Sequence, residues 1–331
     1  MAVLDVAPPV RGSGPPGGDP RGDQVPGVKQ ASSVEALVAA AAAELFPEKA
    51  GADPVPALTS DVLDRVRGAR RLLVFAGPGV VRARRVGELR RLAKRAKLGV
   101  VNSWRAKGIF DWRSPHHLGT VGLQAMDFEL AGFADCDLIV ATGIDEEETP
   151  RQRWALAPLV EVSPAALGTL DLGLRRGPIP RTLLFERLAA VVMPHYASTA
   201  LPPPPGRRIR ELMQRLGRGD MVAADPGTLA GFWLARAFPT SELGSVVVPA
   251  RRMPGFAAAA ALAGARRGRR VVGITTGPVD DTSRAVLEVA EAEGTPVELE
   301  VWGEGGLPVD WSSTAALIEV AGPVVAWGGL A

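Results

Sequence analysis

Apolar and polar positions change period along this chain, and the changes outline its elements. Residues 1–30 have no period: six prolines and six glycines separate isolated apolar residues, which predicts a disordered tail over 1–32. Residues 33–46 are alanine-rich, with Ser33 placed as N-cap and Glu35 in the first turn. They predict a short helix, followed by a proline-broken linker to 55. From Thr59 an alternation of elements begins. Residues 61–68 predict a helix, and RLLVFA at 71–76 is an unbroken apolar run of strand length. Over 81–97, Val81, Val86, Leu89, Leu92, Ala93 and Ala96 recur at helical spacing. Residues 98–102, 137–142 and 159–162 predict three further strands, and a helix near 181–193 closes the unit. Continuously apolar strands separated by helices predict a parallel sheet covered on both faces.

The alternation restarts after Leu201-Pro-Pro-Pro-Pro205, a run that predicts a stiff spacer. Strands are expected at 221–224, 245–248, 270–275, 297–302 and 323–327. Helices are expected at 207–216, 229–238, 255–266, 282–293 and 312–320. The fold class is therefore α/β, with two doubly wound parallel-sheet domains at 56–198 and 207–331 and a Pro-rich linker at 199–206.

Length and charge narrow the function. The chain has 331 residues, enough for two ordinary domains, and its 38 basic and 36 acidic side chains nearly cancel. A surface built to neutralise nucleic acid or an anionic membrane is excluded. One cysteine, Cys136, excludes an internal disulfide and a Cys-clustered zinc site, and three histidines leave little for a His-rich metal centre. The N-terminus has no apolar signal core, and the longest apolar run, 256–264, is too short to span a bilayer. A soluble, cytoplasmic protein is expected, with neither nucleic acid nor membrane as partner.

Four groups of residues bear on chemistry. Gly77-Pro78-Gly79 lies between a buried strand and a helix, where a phosphate can approach backbone N–H groups. Arg82 occupies the third glycine position of the dinucleotide fingerprint, so a tight structural turn is favoured over a phosphate cradle. The arginines of 81–97 lie opposite its apolar face and read as a solvated surface, since no aromatic residue interleaves for nucleic-acid stacking. His116-His117 reads as loop packing, because adjacent histidines point apart. Asp145-Glu146-Glu147-Glu148 follows a strand and suits either ribose hydroxyls, a metal or a solvated loop.

From Leu72 to Gly168 the chain resembles the central domain of thiamine-diphosphate-dependent enzymes of the acetolactate synthase type. The residues that carry the likeness are LLVFAGPG, the Lys107-Gly108 loop before His117-Leu118-Gly119, the strand DLIVATG, and LVEVSP. The second half is similar to the thiamine-diphosphate-binding domain of the same family. Asp225-Pro226-Gly227 stands at its Asp-x-Gly, Met253-Pro-Gly-Phe256 at its Met-Gly-Phe-Gly, and RRVVGITT before its metal motif. That family holds magnesium with an Asp in Gly-Asp-Gly and a later Asn. Here Thr276-Gly277-Pro278 and Gly303-Glu304 occupy those positions, with the spacing kept and the ligands gone. Asp280 or Asp281 is the only nearby substitute. The pyrimidine-binding domain, which carries the family's proton-relay glutamate, has no counterpart in this sequence, and the cofactor domain reads as shortened.

The resemblance implies a nucleotide-sized crevice in the first domain that takes FAD or ADP. By position it implicates Gly77, Gly79, Ser103, Lys107, Gly119, Gly143, Asp145 and Glu161. Neither a catalytic residue nor a metal ligand is assigned, and thiamine diphosphate with magnesium is not expected. The favoured reading is a non-catalytic, degenerate relative that binds an adenine nucleotide or serves as an assembly or regulatory partner. It would form a homo-oligomer or dock on a paralogous thiamine-diphosphate enzyme subunit, with Trp104, Trp112 and Trp233 as candidate anchors. The alternative is one subunit of a split, thiamine-diphosphate- and magnesium-dependent 2-oxo acid decarboxylase or carboligase, completed by a separate pyrimidine-domain chain.

Overall fold

A computed structural model describes residues 26–48, 58–124, 126–173, 179–200, 203–303 and 319–320. After helices α1 (Pro26–Leu45) and α2 (Ser60–Gly68) comes the first sheet, with strands β1 (Leu72–Ala76), β2 (Val100–Ser103), β3 (His117–Val121), β4 (Leu138–Thr142) and β5 (Leu159–Glu161). All pair in parallel in the order β3-β2-β1-β4-β5, so the strand order reverses at the β1/β4 boundary. Helices α3 (Gly79–Arg82), α4 (Val86–Ala96), α5 (Asp127–Leu130) and α6 (Leu183–Ala197) complete the domain. The sheet is buried on both faces, as its continuous apolar strands require. Val74, Ala76 and Val140 pack under Leu89 and Leu92 of α4, while Phe75, Ile139 and Ala141 face Phe128, Phe133 and Trp154. Phe75 meets all three rings edge-on, at centroid distances of 5.2 to 6.0 Å.

The second sheet holds β6 (Met221–Ala224), β7 (Val246–Val247), β8 (Val271–Thr276), β9 (Glu298–Trp302) and β10 (Glu319–Val320) in the parallel order β10-β9-β8-β6-β7. It reverses at β6/β8 and is flanked by α7 (Pro205–Arg215), α8 (Leu229–Ala237), α9 (Phe256–Arg266) and α10 (Asp281–Ala292). Every residue of α9 from Phe256 to Gly264 is buried. Its small side chains let the backbones approach: a Cβ on Gly273 of β8 would lie 2.3 Å from the Ala257 carbonyl oxygen. Two parallel doubly wound domains are thus what the sequence pattern predicted.

The details depart from it in several places. The expected helix over 81–97 is two helices, because Arg84 takes a left-handed φ of 56° between α3 and α4. The His117 segment, expected as a loop, opens an edge strand. Gly119 at φ 135° and a register shift between Val100 and Val101 interrupt its pattern. Helix α1 begins at Pro26 rather than Ser33, so only 1–25 of the expected tail lie outside the described residues. At the end of the expected linker, Pro205 opens α7, and a Cβ on Gly206 would lie 2.6 Å from the His195 Cβ of α6; residues 201–202 lie outside the described residues. Of the helix expected over 312–320, only Glu319–Val320 is described, and it is strand beside β9; 323–327 lies outside the described residues.

The two domains touch. Arg236 at the end of α8 donates to both carboxylate oxygens of Asp127 at 2.7 and 2.6 Å and to the Thr120 carbonyl at 2.7 Å. Helix α1 lies on the second domain, burying Val34, Val38, Ala41 and Leu45 in one core with α9 and α10. Glu35 pairs with Arg266, while Glu44 reaches back to Arg105 of the first domain at 2.7 Å.

Candidate functional site

In an open parallel sheet, ligands gather beyond the carboxyl ends of the strands, next to the point where strand order reverses. Beyond β4 and β5 the first domain has a cleft of about 370 Å³, lined by Gly143, Glu146, Arg151, Glu161, Ser163 and neighbours. Glu161 ends β5 and is half exposed, bonded at 2.6 Å to Arg151, which is exposed as well. Ser163 caps the following turn by accepting from the Ala165 N–H.

Six of the eight sequence-predicted residues line the same edge, in different roles. Gly77 and Gly79 hold a turn packed on Gly143: Cβ atoms there would lie 2.3 and 2.9 Å from the Gly143 carbonyl oxygen. The Gly79 N–H donates to that same oxygen at 2.8 Å. Their glycine requirement is therefore met by backbone packing, the structural of the two readings of this turn. Asp145 is bridged by Arg82 at 2.7 and 2.6 Å and by Arg105 at 3.0 Å. Ser103, at the end of β2, donates to Glu148 at 3.0 Å. Glu161 borders the cleft next to this cluster. Lys107 and Gly119 lie apart from it, in a second cavity between the domains.

The acidic loop divides by direction. Asp145 and Glu148 turn inward, Glu146 accepts from the Arg151 N–H at 3.0 Å, and Glu147 pairs with Arg251 of the second domain. Among the described residues, no three His, Cys, Asp or Glu side chains converge as metal ligands. Burial raises the Glu148 carboxyl from an ordinary 4.5 to about 7, against the lowering pull of the Arg105 N–H and the Ser103 hydroxyl. Folded Glu148 therefore keeps a proton that the unfolded chain has already released. Stability is expected to fall as pH climbs from about 4.5 to about 7 and to be level above that, by on the order of 3 kcal/mol. Urea midpoints across that range test this: Glu148→Gln should flatten the slope, and an unchanged slope would assign it to another group.

Among the described residues, the turn at Thr276 offers few side-chain donors for a magnesium–diphosphate bridge, and Glu304 lies outside them. Gly277 has no side chain, and Thr276 accepts from the Ala230 N–H at 2.9 Å. Asp280 is committed as N-cap of α10, accepting from the Ser283 N–H at 2.8 Å. Asp225 accepts from the Ala257 N–H at 2.9 Å, and burial holds its carboxyl above the usual range against the lowering pull of Thr275 and that N–H. One carboxylate at the start of α9 serves that helix and does not make an octahedral site.

The remaining sequence candidates resolve into packing. Arg90 and Arg95 of α4 donate to the carbonyls of Gly108 and Leu170. His116 meets the Leu98 carbonyl at 2.7 Å. Trp233 is wholly buried, so it is no surface anchor; Trp104 is partly buried and Trp112 is 38% exposed. Sequence reasoning passed over Arg236 and Asp127. The available signal was one arginine inside LAGFWLARA, an otherwise apolar helix, where a charge is buried only with a partner.

Residues 59–167, which span this sheet and its edge, match the family described as "Thiamine pyrophosphate enzyme, central domain". The first domain is similar to the central domain of thiamine pyrophosphate enzymes. A curated relative, the acetolactate synthase large subunit of Parasynechococcus marenigrum (strain WH8102), is 30% identical over 124 residues. That match covers 35% of this chain and 20% of the synthase subunit, so the chain spans about a fifth of that relative's length. No helix among the described residues is long and apolar enough to cross a membrane.

Proposed function

We propose that the central domain binds an adenine nucleotide of the FAD or ADP type in the β4–β5 cleft. The observation that carries this reading is a carboxylate, Glu161, at the mouth of a cleft beside the strand-order reversal. A carboxylate at that strand end accepts from both ribose hydroxyls. Glu161 is held there only by an exposed ion pair, which costs little to open. On opening, Arg151 becomes available to a phosphate, for which its planar donor fork is well matched. Phosphate groups would follow the edge past Gly143 toward Arg82 and Arg105, whose charges are now taken by Asp145. Catalysis through thiamine diphosphate finds no support in the donors around Thr276, and the second domain is read as a support for the first.

Calorimetric titration of ADP and FAD into the full chain tests this. ADP or FAD should bind, and Glu161→Gln should weaken binding by about tenfold, the worth of one charge-assisted hydrogen-bond pair. Absence of heat with both nucleotides would overturn the proposal.

A further inference from the structure

Between the domains lies a second cavity of about 330 Å³, at the lower end of the size that holds a small molecule. Its walls are β3, α6, α7 and the segment from Arg236 to Thr240, with Phe185, Leu188, Val192, Met193, Met213 and Phe238 giving it a mostly apolar lining. Met193 and Met213 are 58% and 37% exposed, so the apolar wall opens to solvent.

Set into this wall are cations and no carboxylate: Lys107, Arg210 and Arg236, with neutral His117 beside them. Arg236 is neutralised by Asp127 from behind the wall, yet its Nε has no hydrogen-bond partner, and neither does the buried His117 Nδ1. Among the described residues, no acid pairs with Lys107. Its Nζ donates to the carbonyls of Ala235 at 2.8 Å and Arg236 at 3.1 Å, which leaves one N–H of an ammonium unused. A buried ammonium facing only carbonyls lacks the counter-charge that buried ions require.

We propose that this cavity is a binding site for a small amphiphilic carboxylate, its acid group on Lys107 and its hydrocarbon tail between α6 and Phe238. The site is distinct from the β4–β5 cleft and does not depend on the nucleotide reading. Electrostatics agrees with an anion deficit. Burial, and then the nearby Arg236, pushes the Lys107 amine from 10.5 down to about 7. His117 is pushed down to about 3 by burial, then by Lys107 and Arg181, with Asp111 opposing. A carboxylate on Lys107 restores the ammonium, so binding takes up a proton at about pH 8.

The test titrates decanoate and decanol into the full chain at about pH 8 in buffers of different ionisation heat. Decanoate should bind with proton uptake, and decanol at least about tenfold more weakly. Lys107→Met should erase both the preference and the proton uptake. Ala189→Trp, which fills the cavity from its rim and leaves Lys107 untouched, should abolish decanoate binding while leaving any ADP binding intact. Equal binding of acid and alcohol, a preference that survives Lys107→Met, or unaltered decanoate binding in Ala189→Trp would each overturn the assignment.

Discussion

Arg236→Met is expected to destabilise the protein by about 3–5 kcal/mol, because it removes one partner of a buried ion pair and strands the other. Asp127 is 1% exposed and its two carboxylate oxygens receive Arg236 at 2.7 and 2.6 Å. Its remaining donors are the backbone N–H groups of Leu123 and Gln124, at 2.9 and 3.0 Å, which do not cancel its charge. The Thr120 carbonyl and the Gln124 side chain also lose their donor. Since Arg236 belongs to the second domain and Asp127 to the first, the same change loosens their contact. Urea unfolding followed by fluorescence and circular dichroism checks both effects. The double variant Arg236→Met/Asp127→Leu should recover most of the loss, since replacing a whole buried pair by apolar groups is often neutral. A single-variant loss under about 1 kcal/mol would mean that water reaches Asp127 in the folded protein.

Trp302→Ala should cost a similar amount, about 3–5 kcal/mol, through the cavity it leaves. The indole is fully buried in the core shared by α8 and β8, against Trp233 and Ile274. Its Nε1 donates at 3.2 Å to Glu300, which is itself buried and held by Arg208 and Arg215. Those arginines stay in place in the variant, so the loss reads out packing rather than charge. Trp302→Phe should retain more than half of the stability that Ala loses. Equal losses for the two variants would shift the cause to the Nε1 hydrogen bond.

The sheet strands were readable in the chain because their signal is local. RLLVFA, DLIVAT and RRVVGITT are apolar without interruption, and a strand buried on both faces needs that. β3 escaped because its pattern is broken at Gly119 and its start is two histidines, one bound to a backbone carbonyl and one in the cavity wall. The break of 81–97 at Arg84 escaped as well, since an arginine with positive φ leaves no trace in helical spacing. For the candidate site, the family resemblance implied Gly77, Gly79, Ser103, Gly143, Asp145 and Glu161, and they share one edge because they stand at or just after strand ends. Lys107 and Gly119 follow strand ends or lie within a strand too, yet they serve the other domain's side. Contacts between residues over a hundred positions apart, such as Lys107 with Ala235 or Asp127 with Arg236, carry no local signature.

Helix α1 bears on how the molecule assembles during synthesis. Among the described helices it is made first, yet Val34, Val38, Ala41 and Leu45 dock on α9 and α10, which are made among the last. The central domain can close as soon as α6 is complete, while α1 waits with an apolar stripe exposed. When it docks it closes a loop that contains the whole central domain, and the entropic cost of so long a loop grows only slowly with length. The second domain thus reaches its final core only when the beginning of the chain returns to it. Its last folding step therefore requires an intact polypeptide from Val34 to α10, and a cut anywhere in the linker after α1 should release that helix and leave α9 bare.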